Sequence, residues 1–173
     1  MAFSLHAATV PSFQQILGAV VGLVDKAESH CATAGLAPED LIQARLADDM
    51  WPFAQQVKST VSHSVGAIEG VRKGVYTPDI SPAPDSFAGL RQLLADARAA
   101  LAAIDPQEVD GFIGRDARFE FREYSMPFTA EDFLLSFAQP NFYFHATTAY
   151  DILRMKGVPV GKRDFIGQPR LKR

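Results

Sequence analysis

Four stretches of this chain repeat apolar side chains every three or four residues, and that periodicity dictates helices packed face to face. In the first, from about Val10 to Ala32, the stripe is Val10, Phe13, Leu17, Val20, Val21, Val24 and Cys31. Thr9 suits its N-cap, Pro11 suits the first turn, and Gly35 lies just beyond its end. The second opens with Pro38, Glu39 and Asp40 and restarts at Asp49, which would cap a main segment running to about Arg72. Its stripe is Phe53, Val57, Val61, Val65, Ile68 and Val71, and Gly74 ends it.

Three prolines, Pro78, Pro82 and Pro84, stiffen the loop that follows. Ser86 then caps a third helix, whose Phe87, Leu90, Leu94, Ala97, Leu101 and Ile104 form a bundle-type seam closed by Asp105-Pro106. Between 107 and 128 the period changes to two. Arg118 to Arg122 alternates as a short strand that can pair with Ser125 to Phe128. The fourth helix has the fullest start signal. Thr129 caps, Asp132 stands at the capping-box position, and Phe128 and Phe133 form a hydrophobic staple. It continues to Lys156 before Gly157, with a kink expected at Pro140.

A length of 173 residues suits a single domain, 1–173, with 158–173 as a solvated basic tail. With 47% apolar residues a full core is available. The net charge of −3 gives no footprint for nucleic acid. Cys31 is the sole cysteine and, on an apolar stripe, is expected as a buried thiol. No run approaches the roughly 18 uninterrupted apolar residues of a membrane span, and the N-terminus lacks the layout of a signal peptide. A cytoplasmic location with no membrane partner is the expectation.

One face of the fourth helix interrupts this pattern. Leu134, Phe137, Asn141, His145, Thr148 and Ile152 share it, so an amide and an imidazole stand where apolar side chains are expected. Each costs about 1–3 kcal/mol if buried without a partner. On the second helix, Gln56 lies beside the core stripe and Asp49 two turns before it. Asp49, Gln56, Asn141 and His145 therefore form a candidate ligand-binding cluster between the second and fourth helices. The alternative is a polar network that only sets helix register. His63 stands about 10 Å along the helix from Gln56 at 1.5 Å per residue. Trp51 and the phenylalanines are expected in the core, and His6 and His30 lie outside the candidate face.

The stretch NFYFHATTAYDILR, Asn141 to Arg154, resembles the last bundle helix of the DinB/YfiT-like superfamily. Asp49 to Val57, DMWPFAQQV, resembles its second-helix motif. With the closing Gly157 to Gly167 segment, the chain is similar to one branch, the domain of unknown function numbered nineteen ninety-three. The resemblance implies an all-α fold: a DinB-like four-helix bundle, often a homodimer, with a small irregular or β-hairpin insertion before the last helix. It also implies a divalent metal held by three histidines, and relatives that are thiol-dependent transferases or isomerases. Here the three positions fall on Gln56, Asn141 and His145, so one histidine remains. Amide oxygens are poor ligands for Zn²⁺ or Ni²⁺, and such a set would hold either weakly. Three functions are therefore carried forward: a small-ligand-binding module with a degenerate metal triad, a non-catalytic homodimer, and a metal-dependent thiol enzyme.

Overall fold

In the computed structural model, which describes residues 4–172, helix α1 spans Leu5–Ala34. Ser4 caps it by accepting from the Ala7 N–H at 3.3 Å. The helix thus starts before the expected Thr9 cap, and Pro11 lies inside it. The reason is packing. Leu5 is itself a core residue, and Thr9 is buried with its hydroxyl donating to the Leu5 carbonyl at 2.7 Å. Gly35 ends the helix as expected, at φ 66°, where an L side chain would be strained. By length and composition α1 could cross a membrane, but twelve of its residues are instead buried in this core.

After a single turn, α2 (Glu39–Ile42), the second bundle helix begins at α3 (Phe53–Ser62). Pro52, not Asp49, occupies its cap position, and Asp49 is exposed. The expected continuous helix is broken at His63–Ser64, and α4 (Val65–Lys73) follows. Ser64 leaves the helical region at φ −114°, ψ −91°. Its buried hydroxyl donates to the Thr60 carbonyl at 2.7 Å, meeting an acceptor that the broken backbone ladder no longer serves.

Ser86 caps α5 (Phe87–Ala102) as the sequence indicates, accepting from the Gly89 N–H at 3.2 Å. Asp105-Pro106 ends it and also starts a short helix, α6 (Pro106–Asp110), capped by the Asp105 carboxylate. The predicted hairpin is present as β2 (Asp116–Phe121) and β3 (Tyr124–Thr129), paired antiparallel with Phe119 opposite Met126. A two-residue strand that reads as loop in the sequence, β1 (Val75–Tyr76), adds to β2 in parallel, so the sheet order is β1-β2-β3.

The last bundle helix comes in three pieces: α7 (Ala130–Asp132), a π-helical turn over Phe133–Ala138, and α8 (Gln139–Met155). Thr129 caps α7 through the Asp132 N–H. The Phe128 and Phe133 rings of the expected staple meet edge to face at 5.7 Å. The π turn stands immediately before Pro140, and the Gln139 N–H reaches back five residues to the Leu134 carbonyl. Widening the helix there accommodates the proline at the start of α8. The same turn presents Phe133 and Phe137 to Phe119 and Phe128 of the hairpin, supplying the surface a lone hairpin needs.

Around the core, α1 packs on α5, α5 on α3, α3 on α8, and α8 on α1, closing a four-helix ring. Hairpin and β1 sit at one end, against α4 and the π turn. The segment after α8 is not a solvated tail. Val158 and Val160 are buried, and α9 (Lys162–Ile166) packs on α1, with Lys26 and Asp164 paired at 2.8 Å. Apolar residues between the charges decide this, since two valines and Phe165 find a surface on the bundle.

Candidate functional site: a buried imidazole under Trp51

Gln56 and His145 face each other across α3 and α8. Gln56 is 1% exposed and His145 7%, and the His145 Nδ1 lies 2.7 Å from the Gln56 Oε1. The Gln56 Nε2 donates to the Trp51 backbone carbonyl at 3.1 Å. A carbonyl only accepts, so this bond settles which way the amide faces. Its oxygen is turned to the ring and must receive a proton from it. His145 therefore carries its hydrogen on Nδ1 and keeps a lone pair on Nε2.

Burial holds this imidazole neutral, with its pKa pushed down to about 4. Two rings stack on it. The Trp51 indole is 5.7 Å away and nearly parallel, and the His63 imidazole is 5.4 Å away at 16°. The helix break makes the second contact. His63 caps the end of α3, where the chain turns, and its ring lies among His145, Tyr76 and Phe137. Burial lowers the His63 pKa to about 3, with a further contribution from His145. The His63 Nδ1 and the Tyr76 hydroxyl are both buried with no hydrogen-bond partner among the described residues. Burial, and then the charge of Asp79, raise the Tyr76 pKa.

Trp51 is not the core residue expected. It is 50% exposed, in the loop before α3, and lines a pocket of about 330 Å³ with Pro52, Gln55, Ile80, Ser81 and Pro82. A buried lysine holds the opposite wall. Lys58 Nζ donates to the Ser81 carbonyl at 2.6 Å and the Ser81 hydroxyl at 2.7 Å, and pairs with the Asp79 carboxylate at 2.9 Å. Hydrogen bonding from Ser81, and then Lys58, holds the Asp79 carboxyl down to about 2.

The expected four-residue cluster is thus reduced to two. Asp49 is exposed and takes no part. Asn141 is half-buried, and its Nδ2 donates to the Phe137 carbonyl of its own helix at 2.7 Å. Five residues were absent from that cluster: Trp51, Lys58, His63, Tyr76 and Ser81.

A family model described as "Domain of unknown function (DUF1993)" matches residues 5–166. The chain belongs to this family. The crystal structure of a DinB family member protein from Shewanella denitrificans is similar to it, with a TM-score of 0.83 and 26% identity over 98% of this chain and 95% of that one. None of the curated proteins matches.

Within this DinB-like fold, the donor set at the positions implied for a metal does not fit a divalent transition ion. The Gln56 oxygen is occupied by His145, the Asn141 amide bonds its own helix, and both are amides. Among the described residues, no three His, Cys, Asp or Glu side chains converge on a point. The residues that surround His145 instead make a stacked, hydrogen-bonded base beside a surface pocket.

Proposed function

We propose that this member of the DUF1993 family is a small-molecule binding module, with the ligand held at the His145 Nε2. The observation that carries the reading is the neutral, tautomer-fixed imidazole lying under a half-exposed tryptophan. An apolar side chain at 145 would pack between the helices without needing Gln56. The pair is better explained by a ligand that needs an acceptor there. Trp51 is the wall of this site: it stacks on His145 and lines the adjoining pocket. The ligand is flat and carries an N–H or O–H donor, so that it approaches the imidazole edge-on beside the indole and donates to the in-plane lone pair of Nε2.

Binding is favoured over acid–base catalysis by the same chemistry. A base works best with a pKa near the working pH, and one of about 4 removes protons poorly at neutrality. As a neutral acceptor it is well suited to recognition.

Trp51 is the only tryptophan in the chain, so its emission reports on this site alone. A metabolite screen read by that emission is expected to yield a flat, donor-bearing ligand whose effect disappears in His145→Leu. If His145→Leu raised stability and kept every hit, the reading would be wrong.

A further inference from the structure

A second groove lies away from His145, where the segment after α9 crosses α1 and α5. It encloses about 600 Å³, and Val10, Leu101 and Ile104 give it an apolar floor. Arg98 of α5 and Arg170 line it, and among the described residues no carboxylate does. Each guanidinium is held by neutral neighbours. That of Arg98 rests against α1 at Gly18, where an added Cβ would come within 3.7 Å of it. That of Arg170 donates to the Ser12 hydroxyl at 3.3 Å. Among the described residues, neither arginine has a carboxylate within 4.0 Å, as is also true of Arg45, Arg115, Arg122, Arg154 and Arg163, but these two share one groove.

The groove itself is built. Gln14 on α1 donates to the Arg98 carbonyl at 2.8 Å, and Gln15 donates to the Ile166 carbonyl at 2.9 Å. These two bonds tie α5 and the last residue of α9 to successive residues of α1. Gly167, at φ 65°, turns the chain over Ala19 and brings Arg170 to the groove. Two cations without anionic partners among the described residues, above an apolar floor, form a complement to an amphipathic anion.

We propose that this groove binds a small organic carboxylate, its charge on Arg98 and Arg170 and its apolar body on Val10, Leu101 and Ile104. Two guanidiniums match the planar carboxylate through paired N–H donors. The floor supplies the apolar burial that an inorganic anion cannot use.

Saturation-transfer NMR on the full chain tests this, with hexanoate as probe, hexanamide as its neutral match and sulfate as competitor. Hexanoate is expected to bind and hexanamide not. Arg98→Gln and Arg170→Gln, both at exposed positions, are each expected to weaken hexanoate binding by about tenfold, as expected for loss of a charge-assisted contact. His145→Leu is expected to bind hexanoate unchanged, which separates this groove from the site under Trp51. Failure of hexanoate to bind, equal binding of hexanamide, or full displacement by equimolar sulfate would overturn the proposal. So would unchanged affinity in both arginine variants, or loss of binding in His145→Leu.

Discussion

The Gln56 Oε1 accepts from the His145 Nδ1 at 2.7 Å, and this contact joins α3 to α8 at the centre of the candidate site. Replacing Gln56 by Leu leaves a buried N–H without a partner. The expected cost is about 1–3 kcal/mol, read by chemical denaturation. Gln56→Glu acts in the opposite way on the ring. A carboxylate beside the imidazole favours its charged form, so the His145 pKa should rise from about 4. Protonated imidazole quenches indole, and the Trp51 emission change should therefore move to higher pH in this variant.

Acid sensitivity follows from the same burial. His63 and His145 titrate at about 3 and about 4 when folded, against 6.5 for an unperturbed side chain. As pH falls below 6.5, the unfolded chain takes up protons that the folded chain refuses. Stability is therefore full above 6.5 and lost as pH drops towards 4. At about 1.4 kcal/mol per unit, His145 alone accounts for roughly 3 kcal/mol of that loss. Urea denaturation between pH 7 and 4 should show the decline, and His145→Leu should remove about half of it, leaving the His63 contribution.

Lys58 positions the wall of the pocket next to Trp51. Lys58→Met keeps the buried stem and removes the ammonium that holds Asp79 and Ser81. Charge-assisted hydrogen bonds contribute about 1.5–3 kcal/mol, and a loss in that range is expected. Hydrogen exchange should accelerate in the loop around Ser81 more than in α1.

Gly70 on α4 carries the close approach of β1. A Cβ there would meet the Tyr76 Cβ at 2.7 Å, with the Tyr76 backbone at 3.1 Å. Gly70→Ala should destabilise by about 1–3 kcal/mol, because backbone rather than a flexible side-chain end must yield. The variant should also shift Tyr76, and with it the His63 ring it contacts.

Much of this architecture is legible in the residues themselves. The four stripes, the caps Ser86 and Thr129, and the stops Gly35, Gly74 and Gly157 all derive from short-range rules, and the structure places them accordingly. The departures arise where tertiary contacts outweigh those rules. Pro11 sits inside α1 because Leu5 and Thr9 belong to the core. The helix break at Ser64 had a signal in Ser59, Ser62 and Ser64, each of which bonds a carbonyl four residues back. Spacing along a straight helix puts His63 about 10 Å from Gln56, and the break is what brings it against His145. Asp49 and Asn141 had suitable chemistry and spacing. A capping rule and a helical wheel cannot tell that one faces solvent and the other bonds its own backbone.

The protonation of the His145 ring is the point on which the functional reading turns. Long-range proton–nitrogen NMR of the histidine ring reads both of its nitrogens across pH. At neutral pH the expected spectrum has hydrogen on Nδ1 and an unprotonated Nε2, with a transition near pH 4. A hydrogen on Nε2 at neutrality, or a midpoint near the ordinary 6.5, would contradict the account.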